Sequence, residues 1–250
     1  MALDVRPIIP SRFFGHKTRG AAPSSRIGAY IALMKLRVVE LLLVTTIPTM
    51  VLAEGGWPSI QLMAVTLIGG TLATGGANAI NMYIDRDIDK LMVRTQNRPL
   101  VTGALTPRAA MIFAIALEFV AFLVLWAGAN LLAAVLAVSA TLFYVFVYSL
   151  WLKRTSKQNI VIGGAAGAMP VLVGWAAVTN SLGWAPVVLF VVIFLWTPPH
   201  FWALAIRHAD DYKAAGVPMM PVVVSLERTV RSMTVYAILL TISTLVLIPV

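Results

Sequence analysis

The stretch SIQLMAVTLIGGTLATGGANAI, residues 59–80, runs without a single charged side chain. The stretch that follows it, NMYIDRDIDKLMVRTQNRPL at 81–100, is crowded with charge of both signs. About 20 mainly apolar residues cross the hydrocarbon core of a bilayer as a helix. The first stretch therefore reads as a spanning helix that delivers the second to one face of a membrane.

Working outward, seven segments are long and apolar enough to span, at 36–53, 59–80, 109–128, 131–150, 160–178, 185–203 and 232–250. This predicts an all-α fold, a polytopic bundle of transmembrane helices. Of the 250 residues 60% are apolar and 12% charged, against about a quarter charged in an ordinary soluble domain. The net charge of +9 is not spread over a nucleic-acid-binding face. All 19 Lys and Arg fall in the N-terminal arm and in alternate connections, and the other three connections hold none. By the positive-inside rule the N-terminus and the basic loops are expected in the cytoplasm of a bacterium, the chain lying in the inner (cytoplasmic) membrane; a mitochondrial inner membrane is the alternative. Residues 1–26, with Arg6, Arg12, Lys17, Arg19 and Arg26, read as a basic, poorly ordered tail beside anionic lipid, and 27–250 as the membrane domain. The last segment runs apolar to Val250 without interfacial residues, so further helices are expected beyond it. No cysteine is present, which excludes thiolate chemistry.

Asn81, Asp85 and Asp89 are spaced i, i+4, i+8, and Asn78 lies one turn earlier. If the second helix continues through them, they form one stripe at its end. Carboxylates one turn apart repel, so a compensating partner is expected. Mg²⁺ commonly takes one or two carboxylates plus substrate phosphates, and Lys90, Arg94 and Arg98 follow at once as cations for the remaining phosphate oxygens. Asp87 sits about 200° round the helix and is expected to pair with Arg86 or Lys90, or to lie in a loop. A solvated helix end with i, i+4 pairs accounts for Asp87 and Lys90, but not for asparagines inside an apolar segment.

Other segments carry polar groups at the same face. Tyr144, Tyr148, Lys153 and Arg154 precede a small-residue helix with Gly163, Gly164, Gly167 and Gly174, which permit close helix approach or leave room for a ligand. In WTPPHFW, residues 196–202, Pro198 and Pro199 are expected to break or kink the sixth helix at His200. Asp210 and Asp211 follow that helix, while Lys35, Arg37 and Glu40 stand at the start of the first. Glu118 is a lone carboxyl inside the third.

On Asn81–Asp85–Asp89, on RDID, NRPL and WTPPHFW, and on DDYKAAG at 210–216, the chain resembles the UbiA superfamily of intramembrane prenyltransferases, and within it the branch that farnesylates haem b. The second D-x-x-x-D of most members is incomplete, since Arg207 stands four before Asp211. The resemblance implies helices ringed around a cavity open to membrane lipid. Asn81, Asp85, Asp89 and Asp211 would hold Mg²⁺ as the catalytic group. Arg94, Arg98, Lys153, Arg154, Lys35, Arg37 and Asn78 would face farnesyl diphosphate. Tyr148 and other rings would line the prenyl path, and His200 would contact haem b. Haem A synthase or cytochrome oxidase assembly factors are expected partners, and nucleic acid is not. A UbiA-type transferase acting on an aromatic acid, a quinone precursor or a chlorophyllide is the alternative, and a transporter with intramembrane carboxylates the alternative of another class.

Overall fold

The computed structural model describes residues 25–247, which are helical with no strand among them. The tail expected at 1–26 lies outside them except for its last two residues. Helix α1, Arg26–Met34, starts where Ser25 Oγ accepts from the Gly28 N–H at 3.0 Å. It stops at Lys35, whose backbone is left-handed (φ 53°, ψ 57°).

Six helices among the described residues are long and apolar enough to cross a membrane. They are α2 (Leu36–Glu54), α3 (Ile60–Ile84), α4 (Pro107–Gly128), the continuous run Leu131–Thr155, α7 (Asn159–Thr179) and α8 (Trp184–Arg207). The run Leu131–Thr155 comprises α5 (Leu131–Leu142), a ten-residue π-helical segment (Phe143–Leu152) and the turn α6 (Lys153–Thr155). Each expected span matches one of these within a few residues, except the seventh. There α11, Leu226–Leu245, begins six residues before 232, carries Glu227, Arg228 and Arg231 near its start and packs on α8. Its described part falls short of a span because those charges occupy its first turns. Two short helices, α9 (Ala209–Ala214) and α10 (Met220–Val223), link α8 to α11.

The packing explains the composition. On α4 the large residues Ile112, Ile115, Phe119 and Trp126 point outward and are more than half exposed, as lipid-facing side chains are. Its inward face is Ala110, Ala114 and Ala121, all buried. Small residues let backbones approach without a hydrophobic drive between helices. Gly174 lies against the Thr46 carbonyl and Gly164 against Thr197, so a Cβ at either would crowd its neighbour at 2.9 and 3.0 Å. Gly163 is closed off by the Tyr148 ring, whereas Gly167 faces open space.

The proline pair does not break its helix. α8 runs through Pro198 and Pro199 to Arg207, and Thr197 Oγ1 donates to the Ile193 carbonyl at 2.9 Å in the turn where proline removes backbone donors.

Candidate active site at the basic end of the bundle

The described parts of the four basic segments come together at one end. α3 carries Asn78 and Asn81 there and ends at Ile84, with Asp85 as its C-cap. The chain then turns through a 3₁₀ segment, Ile88–Lys90, rather than continuing as the α-helical stripe. The i, i+4 links still hold: the Asp85 N–H donates to the Asn81 carbonyl at 2.9 Å, and the Asp89 N–H to the Asp85 carbonyl at 2.8 Å. Three oxygen-bearing side chains therefore stay on one side, and Asn81, Asp85 and Asp89 are all buried (3%, 0% and 0% exposed).

Cations from three segments ring them. Lys153 is ion-paired with Asp85 Oδ2, and Asn81 Nδ2 donates to the same oxygen at 2.8 Å. Arg98 reaches Asp89 Oδ2 at 2.6 Å. Lys35 Nζ donates to Asn81 Oδ1 at 2.8 Å, and Asn81 Nδ2 also meets Ser149 Oγ at 3.0 Å. Burial, reinforced by the Arg98 and Lys153 charges, holds the Lys35 ammonium pKa well below its ordinary value. Asn78 acts one step back: its Nδ2 donates to the Met34 carbonyl at 3.0 Å, fixing the turn that presents Lys35.

Two carboxylate oxygens remain. Asp85 Oδ1 and Asp89 Oδ1 are buried without a hydrogen-bond partner, and Arg154 Nη2 stands 3.9 Å from the former. Orphaned buried acceptors are rare and ask for an explanation. A hard divalent cation seeks such oxygens. No three His, Cys, Asp or Glu among the described residues converge as a metal cluster. Two orphaned carboxylate oxygens fit an ion that takes the rest of its shell from phosphate oxygens, as Mg²⁺ does.

Several expected roles differ. Asp87 lies in the turn after α3, one of its two expected places, and pairs with Arg154 rather than with Arg86 or Lys90: the two guanidinium nitrogens lie 2.7 Å from its two oxygens. The helix has ended before Asp87, which frees it to face α6. Asp211 is tied to the loop between Asp89 and Arg98: its oxygens accept from the backbone N–H groups of Val93 and Arg94 at 3.1 and 3.2 Å. Arg94 has an exposed side chain, and so does Arg37, which no hydrogen bond links to the cluster. Tyr148 stacks on Tyr144 with centroids 5.3 Å apart. His200 stacks on Trp196 at 4.2 Å. Sequence reasoning missed Ser149, the one serine in the run FYVFVYSLWL.

A model of the UbiA prenyltransferase family matches residues 42–250. The chain belongs to that family. Its described helices superpose on a UbiA homolog from Archaeoglobus fulgidus bound to GPP and Mg²⁺ with a TM-score of 0.67 at 22% identity, over 86% of this chain and 76% of that one. A structure of digeranylgeranylglyceryl phosphate synthase gives 0.70 at 19% identity, over 87% and 76%. At such identities the likeness shows the UbiA fold alone. Sequence relatives are far nearer. The protoheme IX farnesyltransferase of Parafrankia sp. (strain EAN1pec) is 58% identical over 93% of this chain and 74% of its own length. Those of Frankia casuarinae and Clavibacter sepedonicus are 56% and 58% identical, over 91% and 83% of this chain and 78% and 67% of their own lengths.

Proposed function

We propose that this chain transfers a farnesyl group from farnesyl diphosphate to a vinyl group of haem b, giving haem O. The observation that carries the transferase chemistry is the pair of orphaned carboxylate oxygens, Asp85 Oδ1 and Asp89 Oδ1, inside a ring of cations. The acceptor rests on identity above 50% to protoheme IX farnesyltransferases over most of the chain.

Asn81, Asp85 and Asp89 would hold Mg²⁺, which would neutralise charge developing on the departing diphosphate. Lys35, Lys153 and Arg98 already surround those carboxylates, so each can shift a hydrogen bond to phosphate oxygens as the diphosphate seats. The allylic C–O bond breaks and the diphosphate keeps the electron pair. The farnesyl cation adds to the vinyl carbon, and water then supplies hydroxide to the resulting benzylic-type cation and releases a proton. Tyr144 and Tyr148, stacked beside the cluster, offer π faces to the cation. Asp211 fastens the start of the 3₁₀ turn Val93–Thr95, between Asp89 and Arg98 in the chain. The basic end is assigned to the cytoplasm of a bacterium. Buried carboxylates gathered at one end, rather than strung along the membrane normal, favour a transferase over an ion path.

Incubating membranes that contain the chain with haem b and farnesyl diphosphate, then weighing the porphyrins, tests this. A product heavier by farnesyl plus hydroxyl is expected, and chelation of divalent metal should abolish it. Labelling of a different acceptor with haem untouched would refute the assignment.

A further inference from the structure

We propose that the cavity between α10 and α11 seats the two propionates of the acceptor, an inference that rests on the reading of haem b as acceptor. The cavity measures about 330 Å³ and is lined by Met220, Arg228, Arg231, Ser232, Val235 and Tyr236. Arg228 and Arg231 are three residues apart on one helix, so their side chains share a face. Neither guanidinium has a carboxylate partner among the described residues. Ser232 adds a hydroxyl beside them. Two unpaired guanidiniums and a hydroxyl over apolar walls form a receptor for carboxylates on an apolar body.

The position relative to the acidic cluster gives the orientation. Met220 and Tyr236 belong to the apolar cluster that also holds Trp202, Ile88 and Met92. Ile88 adjoins Asp89 in the chain, and Tyr236 meets the Trp202 ring edge-on at 5.6 Å. A packed apolar cluster thus lies between the arginine cavity and Ile88. Haem b matches it end to end: both propionates lie on one edge of the macrocycle and both vinyl groups away from it. With the propionates on Arg228 and Arg231, the vinyl edge points away from the arginines. The arginines would set which edge of the acceptor meets the farnesyl group.

The test uses the full chain in nanodiscs, titrated with haem b and with its dimethyl ester and followed by Soret absorbance. Wild type is expected to bind haem b about tenfold more tightly than the ester, a step of one power of ten in Kd. The double variant R228Q/R231Q should bind both alike, at the ester's Kd, with an unchanged melting temperature. R228K/R231K should recover part of the preference. Repeating the titrations in bilayers with and without phosphatidylglycerol separates the other source of anions. A preference unchanged in R228Q/R231Q overturns the proposal, as does a variant that loses only its response to anionic lipid. Wild type that makes farnesylated haem yet shows no preference for the free acid sinks this inference alone. Failure to farnesylate any haem sinks the functional reading, and this inference with it.

Discussion

Arg154 grips Asp87 with two hydrogen bonds of 2.7 Å, across 67 residues of chain. The clasp joins the end of the long run Leu131–Thr155 to the loop that follows α3 and carries Asp89. A third bond, from Arg154 to the Ile84 carbonyl at 3.0 Å, satisfies the last turn of α3.

The clasp should show as an acid-labile contribution to stability. The Arg154 guanidinium holds the Asp87 carboxyl well below its ordinary pKa. A depressed folded-state pKa stabilises above the unfolded value, about 3.9, and that contribution is lost as pH falls through the folded value. Because Asp87 is largely exposed, the pair contributes no more than about 1 kcal/mol. Asp87→Asn is therefore expected to lower the melting temperature slightly at pH 7. The gap from wild type should narrow steadily below about pH 4.

Asp85→Asn is expected to reduce farnesyl transfer by about 100-fold or more, since it weakens charge stabilisation at the leaving group. It should also destabilise, because Lys153 would be left buried beside a neutral amide; breaking such a pair costs about 3 kcal/mol. Adding Lys153→Met should restore the melting temperature and leave turnover absent. Full activity in Asp85→Asn would remove the metal-binding role.

Asp211→Asn leaves one oxygen to do the work of two at Val93 and Arg94. Hydrogen exchange over residues 91–98 should accelerate about tenfold, the equivalent of about 1.4 kcal/mol of opening free energy. Peptides from α4 should exchange as before. Unchanged protection at 91–98 would mean that the loop is held by other contacts.

Gly76→Ala should be poorly tolerated. A Cβ there would meet Glu118 Oε1 at 2.6 Å and the Ala114 carbonyl at 3.0 Å. Overpacking of this kind costs about 1–3 kcal/mol. Glu118→Ala in the same chain should return part of that loss, but not all, because the Ala114 backbone cannot yield. Glu118 accepts from Thr141 Oγ1 at 3.1 Å, so Glu118→Ala alone also strands a hydroxyl.

The spans were legible because lipid demands long uncharged windows, and six of them emerge within a few residues of where hydropathy puts them. The three oxygen donors were legible because their spacing survives the change from α to 3₁₀ geometry. The pairing of charges was not. Arg86 and Lys90 are the local partners that spacing offers Asp87, but Arg86 folds back onto the Tyr83 carbonyl and ring. The winning partner comes from a distant helix, which only tertiary packing can bring. Likewise nothing local reveals that Asp211 accepts from two backbone N–H groups 118 and 117 residues away. Pro198 and Pro199 leave α8 unbroken, and its packing on both α7 and α11 supports the turn where they remove backbone donors.

Lys35 sits in a backbone conformation that glycine enters freely and lysine enters at a cost of roughly 1–2 kcal/mol. A search for thermostable variants would therefore favour glycine at position 35, and the same choice would withdraw the ammonium from Asn81. With Lys35 facing the diphosphate as proposed, durability and turnover would pull in opposite directions at this one residue.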